Sequence, residues 1–135
     1  MELKTLYDTK TILVQIRNLK DNWNQEGAKA FSETLMNRCW LICPKLKIQP
    51  LIFPTARNSI QFEYELEDKS YLEFEIYSDK ITILCIEKEE YNKAIEFTLR
   101  SLDKDSIIKD MNLLINLFYT KKFDEIRRLV GDAKK

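Results

Sequence analysis

Three consecutive runs of strict alternation between apolar and polar residues occupy positions 60–87, with the sequence IQFEYELEDKSYLEFEIYSDKITILCIE. Alternation with a period of two is typical of β-strands, because successive side chains of a strand point to opposite faces of the sheet. A fourth run of this kind follows at about 92–99. The connections between the runs have the length of hairpin loops, so the pattern predicts an antiparallel meander.

The register of these hairpins follows from the requirement that their apolar faces coincide. A tight turn at Ser78-Asp79 and a loop at 88–92 fix how the last three strands pair. The expected cross-strand pairs are Ile76–Ile81, Phe74–Ile83, Leu72–Cys85, Ile83–Phe97 and Cys85–Ile95. One face of the sheet would then be a continuous apolar floor.

Helical spacing of apolar residues on both sides of this region predicts four helices, at 8–20, 32–43, about 105–119 and about 122–130. Asp8 or Thr9 is the expected cap of the first helix, and Asp103 or Asp105 that of the third. Pro44 should end the second helix and Gly131 the fourth.

The segment 48–57 carries Pro50 and Pro54, which cannot donate to a strand ladder, so any strand there is short or at an edge. The sheet should therefore span about 51–99 with four to five strands. Helices before and after an antiparallel meander predict a two-layer α+β fold. At 135 residues, the chain is expected to form a single domain over 1–135.

The acidic residues are concentrated on one face of the predicted sheet. The 22 basic and 22 acidic residues balance overall, but residues 58–90 hold three Lys/Arg and ten Asp/Glu. Alternation places Glu63, Glu65, Glu73 and Glu75 on the same side of one hairpin. Like charges directly opposite each other destabilise a sheet, so solvent, a flanking lysine, a divalent cation or a basic partner should offset them.

The third strand interrupts this acidic face with apolar side chains. Leu84 and Ile86, with Tyr71 beside them, form an apolar spot with a rim of Glu73, Glu75, Glu96 and Thr82. Either a helix covers this spot or it is the centre of a protein interface with a charged rim. An unpaired edge strand could also accept a partner strand, which leaves a homo-oligomer open.

The residue types of most catalytic and cofactor sites are missing. The chain has no histidine and only two glycines, which excludes histidine catalysis and a Gly-rich phosphate loop. We therefore assign no catalytic residue, metal ligand or cofactor, although paired carboxylates keep a metal site or an enzyme open. Three cysteines without disulfide-type spacing indicate reduced thiols in a cytoplasmic protein. No apolar run reaches the ~18 residues that span a membrane.

The last predicted helix is basic, through Lys121, Lys122, Arg127 and Arg128. This raises nucleic-acid binding as a further alternative. Asp124 interrupts the basic series, the net charge is zero and no RNA-binding motif is present, so a nucleic-acid partner is not favoured.

The loop after the first helix has the sequence NWNQEGA at 22–28. Trp23 should anchor this polar loop on the core, and Gly27 should adopt a positive φ. The segment resembles an N-W-D-x-x-G-A motif in a family of small uncharacterised bacterial proteins. Two further patterns of that family, P-x-x-x-P-T and G-G-I-x-L-E-W, are similar to PLIFPT at 50–55 and NSIQFEY at 58–64. Its L-E-I-E-I strand pattern is similar to LEFEI at 72–76.

This resemblance covers roughly residues 15–85 and departs from the family at Asn24, at Asn58-Ser59 and at Tyr64. It implies an accessory protein of bacteria or mobile elements, of the antitoxin-like or defence-operon kind. The favoured hypothesis is a non-enzymatic protein-interaction module. Its acidic sheet face would bind another protein, expected to be basic and encoded nearby.

Overall fold

The fold of the chain is given by a computed structural model, which describes residues 5–99 and 103–133. The helices are α1 (Leu6–Arg17), α2 (Glu33–Ile42), α3 (Lys104–Tyr119) and α4 (Phe123–Ala133). The strands are β1 (Leu51–Pro54), β2 (Ile60–Glu65), β3 (Tyr71–Ile76), β4 (Ile81–Ile86) and β5 (Ile95–Leu99). Short 3-10 turns lie at Cys43–Lys45 and Tyr91–Lys93.

The five strands form one antiparallel sheet in the order β1-β2-β3-β4-β5, which confirms the predicted meander. The register of its last three strands is also confirmed. The structure contains every predicted cross-strand pair, from Ile76–Ile81 to Cys85–Ile95. The two-residue period leaves only registers that keep the apolar residues on one face.

The helices cover the apolar face of the sheet, which confirms the two-layer α+β fold. Phe62, Phe74 and Ile81 from the sheet are fully buried beside Met111 and Phe118 of α3. This cluster also takes side chains from α1, α2 and α4, so all four helices share one core. Burial of this apolar surface is the main stabilising contribution to the two-layer arrangement. In the described part of the chain, no helix is long and apolar enough to cross a membrane.

The first helix begins and ends earlier than its apolar stripe predicts. Its cap is Thr5, whose hydroxyl accepts from the backbone N–H of Asp8, while the Asp8 carboxylate accepts from the Thr5 N–H. The predicted caps Asp8 and Thr9 are therefore wrong. Asp8 is the third residue of a reciprocal capping box, and Thr9 is buried in the helix. The helix ends at Arg17 rather than at 20.

The other helix ends differ less. Ser32 caps α2, and Asp103 caps α3 as expected. The α-helical part of α2 ends at Ile42, and Pro44 lies in the 3-10 turn that follows. The predicted stop at Gly131 is wrong, because α4 continues through it to Ala133. The fourth predicted strand begins at Ile95, after a 3-10 turn over 91–93.

The loop at 22–28 is held by side chains that accept backbone N–H groups. The Asn22 amide oxygen accepts from Gly27 at 2.8 Å, and the Asn24 amide oxygen accepts from Glu26 and Ala28 at 2.9 and 3.0 Å. Gly27 has φ +87°, which confirms the expected positive value.

The indole of Trp23 fastens this loop to the chain that follows it. Its N–H donates to the carbonyl of Lys29 at 3.1 Å, and its ring lies 5.8 Å from the ring of Phe31. The segment therefore has a structural explanation, since the side chains of Asn22, Trp23 and Asn24 close the loop by hydrogen bonds.

The two glycines give opposite predictions for substitution by alanine. We expect Gly27→Ala to destabilise the protein by about 1 kcal/mol, because an L-residue is strained at its positive φ. We expect Gly131→Ala to stabilise it by about 0.5 kcal/mol, because this glycine is exposed within α4 and an added Cβ meets nothing within 4 Å. Urea unfolding of both variants checks this pair, and shifts of the same sign would contradict it.

Candidate functional site

The sheet face opposite the helices is the candidate site, and we name it the outer face. Its side chains are exposed or half-buried, with the single exception of Glu75. Its members are Leu51, Phe53, Gln61, Glu63, Glu65, Tyr71, Glu73, Glu75, Thr82, Leu84, Ile86, Glu96 and Thr98. The structure thus brings together all eight residues that the sequence predicted for partner binding.

One row of cross-strand neighbours crosses the outer face from edge to edge, and we name it the acidic row. Leu51 pairs with Glu63, Glu63 with Glu73, Glu73 with Leu84, and Leu84 with Glu96. Directly opposed side chains lie roughly 5 Å apart at Cβ, so consecutive members are direct neighbours. Three carboxylates therefore flank one central leucine. A shallow depression of about 410 Å³ lies between Glu73 and Glu96.

Glu63 and Glu73 oppose each other directly across β2 and β3. The hydroxyl of Tyr71 donates to Glu73 Oε1 at 2.7 Å. Partial burial raises the pKa of Glu63, and the charges of Glu73 and Glu65 raise it further, although a hydrogen bond with Tyr71 opposes them. Burial and the two carboxylates also raise the pKa of Tyr71, so its hydroxyl keeps its proton. The pair is therefore an electrostatic cost within the folded protein.

The described part of the chain offers little compensation for this cost. Lys69 lies 3.9 Å from Glu65 in the β2–β3 turn. No lysine or arginine of residues 5–99 and 103–133 forms an ion pair with Glu63, Glu73 or Glu96. No cation of the described residues therefore neutralises these three carboxylates of the acidic row.

Glu75 differs from the other acids because the fold itself satisfies it. Arg57 donates to both of its carboxylate oxygens, at 3.1 and 3.0 Å. Ser59, Gln61 and Tyr77 donate at 2.6, 3.2 and 2.5 Å. Burial alone would raise the pKa of Glu75, but these hydrogen bonds outweigh it and lower the pKa to about 2. We therefore leave Glu75 out of the binding surface proposed below.

The apolar part of the outer face is larger than the sequence predicted. Tyr71, Leu84 and Ile86 are half-buried, and the described helices lie on the other side of the sheet. Leu51 and Phe53 of β1 extend the apolar area and are 41% and 44% exposed. Their own alternation around Ile52 could have identified them, but the flanking prolines obscured the strand.

The described residues provide no ligand set for the alternative of a metal site. Among the described residues, no group of three or more Cys, Asp or Glu side chains is placed to hold a metal ion. Cys39, Cys43 and Cys85 are buried and form no disulfide, and burial raises the pKa of each thiol. They therefore remain protonated core residues rather than ligands or nucleophiles.

The predicted nucleic-acid residues on α4 and the turn before it are largely occupied by acids of the same chain. The ion pairs are Lys121–Asp68 (3.4 Å), Arg127–Glu87 (3.6 Å), Arg127–Asp124 (3.3 Å) and Arg128–Glu125. Lys122 is the remaining member and is exposed. Three of the four basic side chains are therefore at least partly neutralised by acids of the same chain.

The opposed carboxylates give a prediction for Glu63→Gln. We expect the free energy of unfolding of the variant to be about 0.5 kcal/mol higher than that of the wild type at pH 7, because the substitution removes a like-charge pair between strands. Because folding raises the pKa of Glu63, the gain should be complete above the folded-state pKa and should vanish once the pH falls below the ordinary value of 4.5, where Glu63 is protonated in both states. Urea unfolding at several pH values checks this, with exposed Glu26→Gln as the control. A destabilised Glu63→Gln variant at pH 7 would contradict it.

The buried Glu75 network gives a prediction of the opposite sign. Its pKa falls from an ordinary 4.5 to about 2 on folding, so its contribution is present above about pH 4.5 and is lost as pH falls toward 2. A pKa difference of this size corresponds to about 3 kcal/mol of folding stability. We expect Glu75→Gln to lose a stability of that order at pH 7 and to show a shallower acid dependence than wild type. Equal acid dependence of the two proteins would refute this account.

Comparison of the chain with protein-family models, with curated proteins and with solved structures found no match. The resemblance of the 22–28 loop and the two strand patterns to a family of small bacterial proteins therefore stays a prediction. The outer face is interpreted from its own geometry.

Proposed function

We propose that the protein is a non-enzymatic interaction module whose outer face binds another protein with a basic surface. The observation that carries this proposal is the acidic row, in which Glu73 and Glu96 flank Leu84, and Glu63 lies beside Glu73, on a sheet face that the described helices do not cover. No ion pair within the described chain engages these three carboxylates. An apolar centre with a charged rim is the usual anatomy of a protein interface.

The chemistry of the partner follows from the spacing of the acidic row. Glu63 and Glu73 are adjacent, and Glu96 lies on the far side of Leu84. The complementary surface presents lysine or arginine side chains around an apolar residue that contacts Leu84 and Ile86. Binding would place cations beside carboxylates that no lysine or arginine of the described residues neutralises, which favours the complex and disfavours acidic competitors.

Two features support the cellular setting of this proposal. The three cysteines are free and buried, as expected of a protein in the reducing cytoplasm. The family resemblance implies an accessory protein of bacteria or mobile elements, with its partner encoded nearby. We therefore propose that this protein acts in the cytoplasm as an accessory protein of the antitoxin-like or defence-operon kind.

Site-specific photo-crosslinking in the native host tests the proposal. A photoreactive amino acid at Leu84 should crosslink a discrete protein, whereas the same group at Leu41, exposed on α2, should not. The double variant Glu63→Lys and Glu73→Lys should abolish the Leu84 crosslink, because it reverses the charge of the surface that the partner contacts. Mass spectrometry of the product identifies the partner and the basic character of its contact surface.

A matched control separates this effect from a change in net charge. Glu26→Lys and Glu33→Lys alter the net charge equally but lie in the exposed loop before α2 and in its first turn. We expect this control to keep the Leu84 crosslink. A crosslink that survives reversal of Glu63 and Glu73, or that both double variants abolish alike, would refute binding through the acidic row.

A further inference from the structure

The two edges of the sheet differ in what they expose. The β1 edge has only four residues, begins directly after Pro50, ends at Pro54, and packs against α1. Proline and short length are common protections of an edge strand against pairing. The β5 edge, Ile95–Leu99, contains no proline; α4 contacts this strand, but no strand of the described residues pairs with its outer side. Its free backbone groups can therefore accept another strand.

The hydrophobic core is also open along this edge. Phe97 and Leu99 of β5 are only half-buried, although they belong to the apolar face of the sheet. Beside them, Leu113 of α3 is 43% exposed. A groove of about 140 Å³ follows the strand, and its lining is Phe97, Leu99, Asp110, Leu113, Leu114 and Leu129. A strand added here would place alternate side chains into this groove, and those side chains must be apolar.

The sequence of β5 itself meets that requirement. Directly opposed residues of an antiparallel pair point to the same face of the sheet. When two copies of one strand pair, the two-fold axis must therefore pass beside a residue and cannot pass beside the midpoint between two residues. The register that uses all five residues is centred on Phe97. It opposes Ile95 to Leu99 of the second copy and Glu96 to Thr98 of the second copy. Every opposed pair is then apolar with apolar, or acid with hydroxyl, and no like charges meet.

We propose that the protein forms a homodimer through antiparallel pairing of β5 with β5 of a second copy, centred on Phe97. The two-fold axis is normal to the sheet, so the helices of both copies lie on one side of a continuous ten-stranded sheet. The grooves beside Leu113 then face each other and bury their apolar lining. The outer faces become coplanar and remain free, so the dimer does not depend on the function proposed above.

The register predicts opposite effects for two substitutions at Thr98, which is exposed on the outer face. Thr98→Glu places a carboxylate opposite Glu96 of the second copy, twice by symmetry. Thr98→Lys places an ammonium there instead. We expect the dimer dissociation constant to rise for Thr98→Glu and to fall for Thr98→Lys, with a difference on the order of tenfold.

Sedimentation equilibrium of the purified protein alone measures these constants, and thermal melting of dilute samples checks that both variants fold. Amide hydrogen exchange over 95–99 should also slow as protein concentration rises. A wild-type protein that stays monomeric up to roughly 1 mM would overturn the proposal. So would equal dissociation constants for the two variants, or dimers whose exchange over 95–99 does not change with concentration.

Discussion

The structure depends on the alignment of the apolar side chains of all five paired strands on one face of the sheet. Each inner side chain, such as Phe62, Phe74 or Ile83, lies opposite another apolar side chain and beneath a helix. A shift of one residue between two strands would move all of these side chains into water. The same constraint forces every intervening residue onto the outer face. The position of the acidic row is therefore a consequence of the core packing, whereas its chemistry is not.

The residues of the acidic row are not those that would stabilise the sheet best. Threonine, tyrosine or alternating charges at the positions of Glu63 and Glu73 would avoid the like-charge pair. The folded protein keeps this pair, and a tyrosine hydroxyl bridges it instead of a cation. By contrast, the neighbouring carboxylate of Glu75 accepts five hydrogen bonds from side chains of the same fold. Of these two acids on one strand, Glu75 is therefore neutralised within the fold, whereas no cation of the described residues pairs with Glu73.

The sequence predicted those features that depend on local periodicity. Strand registers followed from the two-residue period, and the cap of α3 from an aspartate before an apolar stripe. Features that depend on contacts between residues far apart in the sequence could not be predicted from it. Arg57 is separated from Glu75 by eighteen residues, so no pattern around Glu75 could show that its charge is compensated. The reciprocal contact of Thr5 with Asp8 was missed because Asp8 alone is also a good cap. The openness of the β5 groove depends on three separate elements.

The proposed function requires that cations of a partner, rather than groups within the fold, neutralise the carboxylates of the acidic row. Carboxyl ¹³C NMR of labelled Glu63 measures this most directly, by titration of the free protein and of its complex with the protein that Leu84 crosslinks. In the free protein, the pKa of Glu63 should lie above the ordinary glutamate value, because burial and Glu73 raise it. In the complex, it should fall below the free value, since a nearby lysine or arginine favours the ionised form. An unchanged or higher pKa in the complex would contradict the account.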